Sequence, residues 1–251
     1  MAKLDDIIAF CDTRVKRASI IDFPGANNGL QFQNSGKVHK IGAAVDAGLI
    51  PFQKARDASI DFLIVHHGLF WSSPSSISGS TYAKYKLLFE ADMAVYSSHL
   101  PLDAHPEIGN NACIARALGL EVESRFLEYE GTDIGIIAHA PKDRTALQDS
   151  LKKLFPASYQ AIEYGSEAPK RVGISSGSGA SVIAELKKHD IDTLITGELR
   201  QQHFNVAQEE GFNLYPCGHY ATEVFGVQAL AKEVAEHFNL PWEFIETDCP
   251  L

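Results

Sequence analysis

A chain of 251 residues, 45% of them apolar and with a formal charge of −10, has the material for one large or two modest domains with a substantial buried core. The acidic balance and the lack of any Lys/Arg cluster repel phosphate backbones and argue against non-specific nucleic-acid binding. No apolar run approaches the ~20 residues of a membrane span, the stretch MAKLDDIIAFCDTRVKR carries acids inside its apolar pattern, unlike a secretory signal, and Cys11, Cys113, Cys217 and Cys249 form no CxxC pair. These features predict a cytoplasmic protein without a membrane segment, a disulfide framework or a thiolate zinc site.

Along the chain, helix-period segments alternate with short β-branched runs, the rhythm of α/β units. The pattern predicts a helix over 3–15, a strand over 39–47, a helix over 49–59, a strand over 61–67, a helix over 81–92, a strand over 93–99 and a helix over 107–119. Two strand-like runs then follow each other around Gly131, as in a hairpin, and a domain boundary is expected near residue 125, dividing the chain into 1–125 and 126–251. Beyond it come a helix over 144–155, a strand over 171–176, a helix over 180–190, a strand over 192–198, a helix over 201–211, a strand over 212–216, a helix over 222–238 and a strand over 242–247. Strands such as FLIV and TLIT are apolar at nearly every position, as parallel strands covered by helices on both faces would be.

In open α/β sheets, ligands collect outside the carboxyl ends of the strands. Polar residues that end an apolar strand are therefore the first candidates. His66 and His67 end one; adjacent strand residues point to opposite faces, so they converge only if the strand stops at Gly68. They read either as a metal-binding pair or as one buried structural histidine beside an exposed one. Asp103 follows another strand, in a loop fixed by Pro101 and Pro106; an Asp there can ligate a metal or cap a helix. His99 and His105 flank it and rank below it, because Asp103 adds the negative charge a dication site requires. In CGHYATEVFG, His219 and Glu223 can reach a common point beside a strand end, with Thr222 as a candidate N-cap and His219 in the approach loop.

Weaker signals follow. The glycine-rich turn GISSGSGAS (173–181) matches neither the dinucleotide nor the Walker pattern and reads as an ordinary tight turn. Glu198 and His203, in TGELRQQHF, form a candidate acid/base or orienting pair. Cys217 reads as a small buried residue, and His39, His139, His189 and His237 as surface or packing residues. His66, His67, Asp103, His219 and Glu223 together bring three neutral imidazoles and two negative charges. That set neutralises one dication and leaves residual positive charge on two, which suits an anionic or carbonyl-bearing small-molecule substrate.

HHGLFW, SSHLPLDAHPEIGNNACIARALGL, TGE followed by a helix bearing His203, and GHYATEVFGVQALA closely resemble the dinuclear-metal-centre hexameric protein family, YbgI-like proteins usually labelled GTP cyclohydrolase 1 type 2 homologs. ANNGLQ (26–31) and ISSGSGAS also look like family segments, so the resemblance spans nearly the whole chain. Two departures stand out: Ser175-Ser176 where paired glycines are frequent, and Gln202 where a second histidine is common. The resemblance implies a toroidal homohexamer of α/β subunits, each of two interlinked αβα-layered domains with mostly parallel sheets. It also implies a two-metal site in the cleft between the domains, with His66, His67, Asp103, His219 and Glu223 as ligands. The expected function is a metal-dependent hydrolase in which two divalent ions (Zn, Fe, Mn, Co or Ni) activate a bridging water, with Glu198 and His203 in proton transfer; the family label suggests GTP as substrate. The alternative is a non-catalytic metal-binding scaffold or metallochaperone.

Overall fold

The computed structural model describes residues 1–71 and 76–251. In chain order its elements are β1 (Ala2–Lys3), α1 (Leu4–Arg14), β2 (Gly29–Phe32), β3 (Lys37–Val38), β4 (Ile41–Asp46), α2 (Leu49–Asp57), β5 (Phe62–His67), α3 (Gly79–Glu90), β6 (Ala94–Ser97), α4 (Leu100–Asp103) and α5 (Asn110–Ala117). They continue with β7 (Val122–Tyr129), β8 (Thr132–His139), α6 (Arg144–Leu154), β9 (Ile162–Glu163), β10 (Arg171–Ser178), β11 (Thr193–Glu198), α7 (Gln202–Glu210), β12 (Asn213–Pro216), α8 (His219–Phe238) and β13 (Trp242–Phe244). The α/β class expected from the alternation is the one observed.

Two compact units result, Met1–Leu102 with Gly226–Asp248, and Asp103–Phe225 with Cys249–Leu251. The boundary expected near residue 125 falls inside the second of these, within β7. The chain re-enters the first unit within α8, and β13 then pairs with β4, a return that no break in composition announces.

The first unit holds a five-stranded sheet in the order β13-β4-β5-β6-β2, parallel except for the antiparallel edge strand β2. Residues 41–45 and 62–66 are buried throughout, which explains their unbroken apolar runs. Phe52, Ala55, Leu87 and Leu88, from α2 and α3, pack with Leu63, Val65 and Val95 of the sheet.

The second unit holds a six-stranded mixed sheet in the order β7-β8-β10-β11-β12-β9, parallel across β10-β11-β12. Successive strand residues serve opposite faces: Ile195 and Tyr215 pack with α5 and α6, whereas Leu194 and Leu214 pack with Val182, Leu186 and Ala207. The hairpin around Gly131 forms as expected, with Glu130 and Gly131 both at positive φ and Tyr129 paired to Thr132.

Two local expectations are corrected. The segment 180–190 forms two 3₁₀ turns, Ile183–Glu185 and Lys187–His189, instead of an α-helix. Its amides reach back three residues, from Glu185 to Val182 and from His189 to Leu186, and this tighter winding still buries Val182 and Leu186 while covering more length per residue. Helix α8 begins at His219, so His219 belongs to its first turn and not to an approach loop. Thr222 is no N-cap: its hydroxyl turns back to the carbonyls of Gly218 and His219 and accepts from the Gly177 amide.

Candidate functional site

In the first unit, β5 ends at His67, and the break at Gly68 lets two neighbouring imidazoles come together. Their ring centroids are 4.9 Å apart. His99, two residues beyond the end of β6, joins them, with centroids 4.8 Å from His66 and 5.7 Å from His67. One ring nitrogen from each of the three lies within 4.8 Å of the others, close enough for one ion to gather. His66 is fully buried and His67 half-buried, so the pair combines a buried and a more exposed ring at one strand end. His99, ranked below Asp103 in the sequence, follows a strand's carboxyl end just as the pair does; that signal was there to be read.

The hydrogen bonds fix the ring tautomers. His66 Nδ1 donates to the Ser98 carbonyl at 3.0 Å, His67 Nδ1 to Asp46 Oδ1 at 2.9 Å and His99 Nδ1 to Asp22 Oδ1 at 2.9 Å. Because each acceptor is an oxygen without a proton, each Nδ1 carries the hydrogen, and Nε2 is the nitrogen that can ligate an ion. Trp71 stands edge-on to His99 at 4.8 Å, its indole N–H bonded to the Gly68 carbonyl at 2.9 Å.

In the second unit, His219 and Glu223 face each other across one turn of α8. His219 Nε2 lies 3.1 Å from Glu223 Oε1, and His219 Nδ1 lies 3.3 Å from Glu198 Oε1. The hydrogen bond to Glu223 raises the His219 pKa to about 9, against an opposing effect of burial and with further help from the charges of Glu223 and Glu198. The imidazolium so favoured would have to release its Nε2 proton to solvent before that nitrogen could hold an ion, while keeping Nδ1–H on Glu198.

Two glycines make room for this pair. A Cβ on Gly177, whose φ is +64°, would collide with Glu223 Oε1 and come within 3.2 Å of His219 Nε2. One on Gly197 would meet the His219 Cα at 2.8 Å. The glycine-rich turn therefore bends β10 around a carboxylate, a role its sequence did not disclose. Asp103 is buried and receives hydrogen bonds from Asn110 Nδ2 at 2.8 Å and Ser176 Oγ at 3.2 Å. The N-cap position of α5, the helix that follows it, is held by Gly109.

The remaining histidines differ in a diagnostic way. His105 Nδ1 accepts from the amides of Glu107 and Ile108, and His203 Nδ1 accepts from the Arg200 amide at 3.0 Å. Burial, then the Arg200 charge, lowers the His203 pKa. Glu198 and His203 are not hydrogen-bonded to each other among the described residues; Glu198 turns to His219 instead. His39 has the carboxylate-held pattern through Asp61, but its side chain is 62% exposed and it joins no donor cluster among the described residues. His189 and His237 pack against Phe126 and Phe10, and His139 is exposed. Cys217 is buried, and burial pushes its thiol up to about 12, so no thiolate forms near neutral pH.

Imidazole nitrogens with Nδ1 tied to oxygen, together with carboxylates, fit zinc, iron, manganese, cobalt or nickel. Comparison with known proteins bears on the same donors. The family model for Duf34/NIF3 (NGG1p interacting factor 3) matches residues 2–250. The chain belongs to the Duf34/NIF3 family. Among its Duf34/NIF3 relatives, the GTP cyclohydrolase 1 type 2 homolog of Deinococcus radiodurans is 42% identical over 221 residues, 87% of this chain and 84% of that one. The crystal structure of TTHA1606 from Thermus thermophilus superposes with a TM-score of 0.89 at 37% identity, covering 100% of both chains. Protein ybgI, of unknown function, gives 0.91 at 31% identity with the same coverage. Among the described residues of this Duf34/NIF3 chain, no helix is long and apolar enough to cross a membrane.

Proposed function

We propose that this chain is a metal-dependent hydrolase in which His66, His67, Asp103, His219 and Glu223 serve one pair of divalent ions. The observation that carries the reading is the shared Nδ1 contact: the three imidazoles of the set each have Nδ1 held by an oxygen acceptor, the arrangement by which proteins orient histidine ligands. When bound, two such ions would supply Lewis acidity and a water activated near neutral pH. The chain's own residues do the rest. Asp46 and the Ser98 carbonyl orient His67 and His66, Glu198 orients His219, and Asn110 and Ser176 fix the Asp103 carboxylate.

A cavity of about 540 Å³ in the second unit, lined by Ser158, Tyr159, Glu198, Arg200, Phe204 and Gly218 among others, is our candidate seat for the substrate. It offers aromatic walls and one guanidinium, which suits an anionic or carbonyl-bearing molecule. The glycine-rich turn is filled by the Glu223 carboxylate, so a triphosphate has no cradle there, and we hold the reaction to hydrolysis without fixing GTP as its substrate. A cytoplasmic homohexamer completes the proposal.

The test is metal content by mass spectrometry of the full chain reconstituted with zinc, iron, manganese or nickel, followed by hydrolysis assays on phosphoester, amide and cyclic-amidine substrates with wild type and Glu223→Gln. Two equivalents per chain and turnover lost in the variant are expected. Less than one equivalent in every metal removes the site, and full metal loading without Glu223-dependent hydrolysis leaves a scaffold or metallochaperone.

A further inference from the structure

Asp22 lies in the loop between α1 and β2, far in sequence from any candidate ligand, yet its side chain is only 4% exposed. It accepts from His99 Nδ1 at 2.9 Å, from the Leu100 amide at 2.9 Å, from Asn28 Nδ2 at 2.8 Å and from the Phe23 amide at 2.7 Å. Asn28 in turn accepts from the His99 amide at 2.8 Å. One short loop thus grips both the backbone and the ring of His99. Burial opposes ionisation of the Asp22 carboxyl, but the hydrogen bond and charge of His99, with the Asn28 amide, outweigh it and hold the pKa below its ordinary value. A buried carboxylate is costly to maintain and is kept where its partner's orientation matters.

That orientation has a target. With Nδ1 committed to Asp22, Nε2 is the nitrogen His99 can offer, and it makes no hydrogen bond among the described residues. The ring is 12% exposed and lies between His66 and the Trp71 indole, with Phe23 at a centroid distance of 5.8 Å. A histidine needed only for packing would not have its backbone amide, its Nδ1 and the following amide all fastened to one loop. The repeated device, Nδ1 on an oxygen and the rings gathered, is the same as for His66 and His67.

We infer that His99 is a third imidazole ligand of the first unit, with Asp22 as its positioning carboxylate, so that His66, His67 and His99 form a three-nitrogen face for one divalent ion. The inference rests on the proposal that His66 and His67 ligate metal and extends the five-residue set by one neutral donor. A face of three nitrogens and no acid favours borderline cations such as zinc, cobalt or iron over magnesium or calcium.

The experiment uses the metal-free full-length chain titrated with cobalt(II), read by visible absorption, by competition with a chelator and by X-ray absorption counting of histidine scatterers. His99→Phe keeps an aromatic ring against Trp71 and Phe23 and removes the nitrogens. It should lose tight binding of one equivalent and one histidine from the absorption fit, and Asp22→Asn should weaken that equivalent about 10–100-fold, the usual cost of removing such a partner. Both variants are compared with wild type by thermal unfolding without metal; if His99→Phe unfolds at low temperature, Asp22→Asn alone decides. Wild-type affinity and spectrum in a folded His99→Phe, or in Asp22→Asn if that alone decides, would overturn the inference. Glu223→Gln and His219→Ala separate it from the five-residue reading. If they keep both equivalents while His99→Phe loses one, that reading fails and His99 stands; if they lose metal while His99→Phe keeps it, the reverse holds. No uptake by wild type removes both.

Discussion

His66 and His67 stand among imidazoles, whereas His219 stands between two carboxylates. In the first unit each of three neighbouring imidazoles gives its Nδ1 hydrogen to a single oxygen acceptor, leaving the rings gathered beside one another. In the second, Glu198 and Glu223 draw a proton onto His219, which thereby stands in for a cation. One group is a set of rings each held by a single acceptor, the other a single ring held by two acids. They should respond differently to the same perturbation.

The largest effect is expected at Gly177. Gly177→Ala puts a methyl group against Glu223 Oε1 at a φ of +64°, which costs about 1–3 kcal/mol of backbone strain and pushes aside the carboxylate that we propose as a ligand. Chemical denaturation should show the loss of stability, and metal analysis the loss of the equivalent that depends on Glu223, with the His66–His67 share retained. Loss of both equivalents together would mean that the two groups do not bind independently.

Protons come next. The raised pKa of His219 means that its protonated ring stabilises the metal-free fold; this contribution is complete below its ordinary value near 6.5 and is lost as pH rises through about 9. Metal must displace that proton, so affinity at the second group should climb about tenfold per pH unit up to pH 9, on the order of 100-fold from pH 6 to 8. In Glu198→Gln, which removes one of the two acids beside His219, that dependence should be shallower over the same range. Zinc titrations by calorimetry at several pH values, with proton release read from buffers of different ionisation heat, would separate the two. Equal slopes would erase the distinction.

Asp46→Asn sharpens the comparison from the first unit's side. Removing the charge that holds His67 Nδ1 should weaken one equivalent about 10–100-fold while leaving the pH dependence assigned to His219 in place. Chelator competition across pH measures both. A changed pH dependence would show that the two groups titrate together.

Much of this was legible in the residues. Apolar runs ending in polar residues located β5, β6, β11 and β12, and with them His66, His67, Glu198 and the approach to His219. Asp103 was a candidate for its place after a strand, and Cys217, read as a small buried residue, is buried. What stayed hidden depends on contacts distant in sequence. Asp22 meets His99 across 77 positions, and nothing in IIDFPG marks that carboxylate as buried. Gly177 looked like a turn residue because the carboxylate it accommodates lies 46 residues later. The 3₁₀ turns of 183–189 carry an apolar spacing that an α-helix would also satisfy. The start of α8 departs from expectation because Thr222 has the composition of an N-cap but spends its hydroxyl on Gly177 and its own helix.

The smallest predicted effect tests whether His203 belongs to either group. The sequence pairs it with Glu198 as an acid/base candidate, but its Nδ1 accepts the Arg200 amide at the start of α7, the work of a helix-terminal cap. A nitrogen fixed as an acceptor leaves Nε2–H as donor, the opposite tautomer from His66, His67 and His99. His203→Ala should therefore lower stability by about 1 kcal/mol, as the loss of such a cap does, with both metal equivalents and their pH dependence unchanged. His203→Asn, whose side-chain oxygen can still accept the amide, should recover most of that stability. If instead hydrolysis falls in both variants while unfolding is untouched, His203 acts on the substrate, and tautomer alone is not enough to sort the histidines of this chain.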